Sequence, residues 1–82
     1  MTFGERLRTI LKFRNIQQKD LATNINVTET MVSRWIKGIA IPRIKHLDKI
    51  SKYLNVSINA LLGQEELLER LLESYDKGLF VA

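Results

Sequence analysis

Gln17-Gln18-Lys19-Asp20-Leu21-Ala22-Thr23-Asn24-Ile25-Asn26-Val27-Thr28-Glu29-Thr30-Met31-Val32-Ser33-Arg34-Trp35-Ile36-Lys37-Gly38 is the stretch that decides how this chain folds. Leu21, Ala22 and Ile25 fall on one face of a short helix, and Val32, Trp35 and Ile36 on one face of a second. Between them stands Asn26, a residue that tolerates the left-handed backbone of a tight turn. Thr28 is a good N-cap, and Glu29 lies in the first turn, where the helix dipole favours a negative charge. The second helix is expected from about Thr28 to Lys37, with Gly38 ending it. The stretch therefore predicts two short helices joined by a turn of three or four residues.

Helical spacing continues outward on both sides. Phe3, Leu7, Ile10 and Leu11 mark an earlier helix, followed by Asn15 as a further candidate for the left-handed conformation. Downstream, Pro42 sits just before a fourth helix with Ile44, Leu47, Ile50, Ser51 and Leu54 on one face. Ser57 caps a short fifth helix with Ile58, Leu61 and Leu62 inward, closed by Gly63. Gln64–Tyr75 reads as a sixth helix, apolar at Leu67, Leu68, Leu71, Leu72 and Tyr75. Strand-like alternation and internal repeats are missing from the sequence. The expected fold is all-α: a five-helix domain over 1–63, then an amphipathic C-terminal helix and tail over 64–82.

Composition narrows the function. Eighty-two residues suffice for one small domain, and a core of that size gains from a dimer interface. With no cysteine and one histidine, His46, disulfides are excluded and a zinc site, which needs about four ligands, is not expected. No cofactor is expected. No run reaches the ~18 apolar residues of a membrane span, and the start of the chain lacks a secretion signal, so a cytoplasmic protein is expected. Charge is unevenly shared. Residues 1–63 carry eleven Lys/Arg against four Asp/Glu, a net +7, whereas 64–82 carry two against five, a net −3. That split suggests a polyanionic partner for the first part only. Neither a nucleophile–base set nor a Gly-rich phosphate loop is visible, so an enzyme is not expected.

Two short helices with small or polar residues opening the second make the helix-turn-helix plan, in which the second helix lies in the DNA major groove. The spacing of Gln18-Lys19-Asp20-Leu21-Ala22, Asn26-Val27-Thr28, Val32-Ser33-Arg34-Trp35-Ile36-Lys37-Gly38, Pro42, Leu54-Asn55-Val56-Ser57 and Leu61-Leu62 resembles the Cro/repressor-type helix-turn-helix family over residues 3–63. The resemblance implies a compact five-helix fold, dimeric binding to a roughly palindromic double-stranded DNA operator, and repression. It departs at three places. Asn26 stands where the family usually has glycine, and Gln17 stands where Ser or Thr usually opens the second helix. Leu11 and Ile36 occupy positions that often hold an Arg and a Glu, and this apolar pair is expected to meet.

Carried over residue by residue, the resemblance makes Gln18 a phosphate contact, with Gln17 and Thr28 beside it. Glu29, Thr30, Ser33 and Arg34 match the base-reading surface, Arg34 as a two-bond donor to guanine and Thr30 as a neighbour of a thymine methyl. Lys37 and Arg43 flank the loop where backbone contacts are expected. Trp35 reads as core rather than as a stacking platform, and His46 as a surface residue of the fourth helix. Leu67, Leu68, Leu71, Leu72 and Tyr75 form a candidate dimerisation stripe. The competing reading is an antitoxin-like or anti-repressor partner whose C-terminal helix binds another protein. A more distant one is a helical module that binds no DNA.

Overall fold

In the computed structural model, which describes residues 1–63 and Leu72, helix endings repeat one device. Helices α1 (Phe3–Phe13), α2 (Gln18–Ile25), α3 (Glu29–Lys37) and α4 (Ile44–Leu54) are each followed by a left-handed residue. These are Asn15, Asn26, Gly38 and Asn55. In each case the next amide donates five residues back: Ile16 to the Leu11 carbonyl, Val27 to Ala22, Ile39 to Arg34 and Val56 to Ser51. This is the Schellman closure, which satisfies carbonyls that the helix end leaves open. Three of the four use asparagine, whose short polar side chain tolerates the left-handed region. Asn15 and Asn26 are where the sequence places them; Asn55 adds a third.

Helix beginnings vary more. Thr2 and Glu5 form a capping box on α1: the Thr2 hydroxyl accepts from the Glu5 amide at 3.2 Å, and the Thr2 amide donates to Glu5 Oε1 at 3.4 Å. Thr28 caps α3 by accepting from the Met31 amide at 3.1 Å. Gln17 makes no side-chain cap bond to α2, as its weak capping chemistry predicts. Residue 58 opens α5, described as far as residue 63, with Ser57 Oγ accepting from the Ala60 amide at 3.0 Å.

The apolar faces meet in one core. Phe3, Leu7 and Leu11 of α1, Leu21, Ala22 and Ile25 of α2, Val32 and Trp35 of α3, Leu47, Ile50 and Leu54 of α4, and Leu61 and Leu62 of α5 are all buried. Helix α3 packs against both α1 and α2, and α2 against α4. Three expectations need correction. Ile44 is 57% exposed, because as the first residue of α4 it precedes the turn that meets the core. Ile36 and Ile58 are half-buried, flanking the core rather than filling it. His46, on the surface of α4 as expected, is half-buried there because it lies against Trp35, with ring centroids 5.5 Å apart. The sixth helix and Leu67, Leu68, Leu71 and Tyr75 lie outside the described residues; Leu72 is helical and exposed.

Two features lock α3 and α4 in place. Arg14, just past α1, donates from Nη1 to the Leu54 carbonyl at the end of α4, putting a cation on that helix's negative pole. Gly4 of α1 is buried where α1 crosses the end of α3. A Cβ there would lie 2.5 Å from the carbonyl oxygens of both Trp35 and Ile36. Gly4→Ala should therefore destabilise the domain by about 1–3 kcal/mol in urea unfolding, because backbone cannot yield as a flexible side chain does. Helix propensity pulls the other way by roughly 0.5–1 kcal/mol. An alanine variant as stable as the parent would show that the crossing has room.

Candidate nucleic-acid interface

Helix α3 divides its residues sharply. Val32 and Trp35 point into the core, and Glu29, Thr30, Met31, Arg34 and Lys37 are exposed. Thr30, Arg34 and Lys37 follow at spacings of four and three, so they line one face. Ser33 is half-buried beside them. Burial of Trp35 anchors the helix from below, while the Thr28 cap sets where it begins.

Two hollows flank this face. The first is bounded by Gln18 at the start of α2, by Glu29, Thr30, Ser33, Arg34 and Lys37 of α3, and by Ile39. The second lies toward α4 and is bounded by Thr28, Thr30, Met31 and Arg34, by the loop at Ile41 and Pro42, and by Arg43 and His46. Thr30 and Arg34 belong to both, forming the ridge between them. Tertiary packing thus gathers Gln18, Thr28, Glu29, Thr30, Ser33, Arg34, Lys37 and Arg43 from three separate segments onto one surface. Gln17 borders neither hollow; it is exposed at the N-cap of α2.

The electrostatics of this surface are one-sided. Arg34, Lys37 and Arg43 are exposed cations, and Glu29 is the single acid bordering either hollow. Among the described residues the one ion pair is Lys52–Asp48, at 3.0 Å within α4. Arg34, Lys37 and Arg43 thus form no ion pair among the described residues. His46 is held below its usual imidazole range, first by desolvation against the protein and then by Lys45, Lys49 and Arg43.

Sequence reasoning missed Met31, Ile39, Ile41 and His46 as members of this surface. Ile39 and Ile41 are 71% and 69% exposed. The sequence carried a faint signal for them. Ile39 follows the left-handed Gly38 as Ile16, Val27 and Val56 follow their asparagines, yet those three pack on the core and Ile39 does not. Among the described residues no group of three or more His, Asp or Glu side chains could hold a metal ion, and no helix is long and apolar enough to cross a membrane.

Residues 7–61 match the family described as "Helix-turn-helix". Over 68 residues the chain is 37% identical to the HTH-type transcriptional activator BcrR of Enterococcus faecalis, an alignment covering 83% of this chain and 33% of that protein. Over 76 residues it is 25% identical to the immunity repressor protein of Bacillus phage phi105, covering 93% and 53%. The chain thus spans between a third and about half the length of these curated relatives. Among solved structures, the P22 c2 repressor protein in complex with a synthetic operator superposes with a TM-score of 0.73 at 30% identity, covering 77% of this chain and 96% of that one. A transcriptional regulator from Listeria innocua shares the fold at 24% identity, with a TM-score of 0.70 over 88% of this chain and 74% of that one.

Proposed function

The chain belongs to the helix-turn-helix family, and on that premise we propose that it binds a specific double-stranded DNA sequence and regulates transcription, as a repressor acting on a roughly palindromic operator. The observation that carries this reading is the α3 surface. An exposed ridge of Thr30 and Arg34 stands between two hollows, and its cations have no carboxylate partners among the described residues. In this reading α3 enters the major groove, Thr30, Ser33 and Arg34 address base edges, and Glu29 accepts from a cytosine amine. Gln18, Lys37 and Arg43, with Gln17 and Thr28 beside them, hold the phosphates on either side. The likeness to the P22 c2 and phi105 repressors supports repression, and the likeness to the activator BcrR supports transcriptional regulation of either sign.

Binding-site selection from random duplexes tests the proposal directly. A recovered consensus with two related half-sites about one helical turn apart supports it. A pool that never enriches sinks it. Affinity should also fall steeply with salt, because each phosphate neutralised by Lys or Arg releases a counterion and adds about 0.9 to the slope of log K against log salt. With Lys37 and Arg43 on phosphates, a roughly fourfold rise in salt should weaken binding by on the order of tenfold. A flat salt profile on the selected duplex would remove the electrostatic part of the reading.

The dimer that a palindrome requires is assigned to the 64–82 segment. Leu72, helical and 55% exposed, belongs to its apolar stripe. Leu72→Glu should shift sedimentation toward the monomer and weaken operator binding. If the variant sediments as the parent does and binds equally well, the stripe has another role.

A further inference from the structure

Deepening the dimer assigned above, and resting on it, we propose that the outer face of α4 is a docking surface for the acidic side of residues 64–82 of a second copy. Lys45, Lys49 and Lys52 follow one another on α4 at spacings of four and three, so they share one face, and all three are exposed. Lys52 pairs with Asp48, whereas Lys45 and Lys49 form no ion pair among the described residues. Beside this row lies a hollow between the end of α2 and α4, bounded by Asn24, Ile25, Asn26, Lys49, Lys52 and Tyr53. Buried Ile25 and exposed Tyr53 supply its apolar part, and the Tyr53 hydroxyl accepts from Asn24 Nδ2 at 3.3 Å. None of its lining residues is acidic. It shares no residue with the two hollows of α3, so its occupant and DNA do not compete for side chains.

Charge and reach identify the occupant. Residues 64–82 carry five acids against two bases. In the helix expected over 64–75, Glu65, Glu69 and Glu73 recur every four residues, on a different face from Leu67, Leu68, Leu71 and Leu72. Glu65 to Glu73 spans about 12 Å of such a helix and Lys45 to Lys52 about 10 Å of α4, so the two rows match in length and oppose in sign. One side of the segment is thus left for leucine packing and another for the lysines. Reach decides which copy supplies it. Gly63 lies against the Arg6 guanidinium of α1, and Glu65, two residues on, stays within about 7 Å of Gly63. Helix α1 lines no part of the hollow between α2 and α4. Each chain's acidic row therefore starts beside its own α1, and the lysine row is met by the row of the other copy. Leucine packing supplies association, and the charged rows fix how the two domains are oriented, which sets the separation of the half-sites.

Swapping charges between full-length copies tests the docking by sedimentation without DNA. Lys49→Glu with Lys52→Glu reverses the row on α4, and Glu69→Lys with Glu73→Lys reverses the segment. Each double variant alone should self-associate roughly tenfold more weakly than the parent, because like charges then face one another. Mixed, with one of them fluorescently labelled, the two should form heterodimers well above the statistical share, since both contacts are then complementary. The parent dimer should also loosen as salt rises, which leucine packing alone does not do. Urea unfolding of the row variant should match the parent, both lysines being exposed. Heterodimers at the statistical share overturn docking on a second copy. Variants that associate as the parent does, or a parent dimer indifferent to salt, overturn the surface and leave the leucine dimer intact. A parent that is monomeric at every concentration overturns the docking and the assigned dimer together.

Discussion

Leu11→Arg should cost the domain about 3–5 kcal/mol, enough to unfold much of the population at ordinary temperature. Leu11 is 3% exposed in the core cluster, and Ile36 of α3 packs against the same cluster. The resemblance implies an Arg and a Glu at these two positions, where each charge would satisfy the other. A lone guanidinium in an apolar setting has no such partner, and an unpaired buried charge is far costlier than a paired one. Adding Ile36→Glu should recover part of the loss, although an ion pair there repays its desolvation only with good geometry. Urea unfolding of the parent, both singles and the double gives a double-mutant cycle with a favourable coupling of roughly 1–3 kcal/mol. Additive singles would show that the two side chains do not act on one another.

The largest effect on binding is expected at Arg34. It lies on the ridge shared by both hollows, one turn beyond Thr30, so the pair can address neighbouring bases in one groove. Its planar donors match the O6 and N7 of guanine, whereas a lysine would offer a point charge. Arg34→Ala should cost on the order of 1–3 kcal/mol per half-site, hence roughly twice that on a palindrome, and relax preference at one base position in each half. Lys37→Ala borders only the first hollow and should weaken all duplexes about equally while flattening the salt dependence. Selection from random duplexes with each variant separates reading from anchoring. An unchanged consensus with the Arg34 variant would pass the reading role to Glu29, Thr30 and Ser33.

Helix ends are the most legible part of this amino-acid sequence. Asn15, Asn26 and Gly38 each announce a left-handed ending, and Thr28 announces the start of α3, because these residues owe their preferences to backbone geometry within a few positions. Two further local signals are of the same kind. Thr2-Phe3-Gly4-Glu5 is a capping-box pattern, and Asn55-Val56 repeats the Asn-aliphatic ending of Asn15-Ile16 and Asn26-Val27. Other features have no local signature at all. Ile44 and Leu47 both belong to an apolar face by spacing, yet one is exposed and the other buried, since the core reaches only the second turn of α4.

The amino-acid sequence by itself determined the helices, their ends, the inward faces of Leu7, Leu21, Val32 and Leu54, and the basic character of residues 1–63. All of these depend on side-chain chemistry read over one or two helical turns. Tertiary structure alone decided that Gly4 is the residue on which α1 and α3 close, since that follows from the Trp35 and Ile36 carbonyls, far along the chain. It also decided that Arg14 would serve the end of α4 and that His46 would lie against Trp35. It alone joined Gln18, Arg34 and Arg43 along one surface. Contacts between residues far apart in the chain are set by how whole helices cross, and no local preference encodes a crossing.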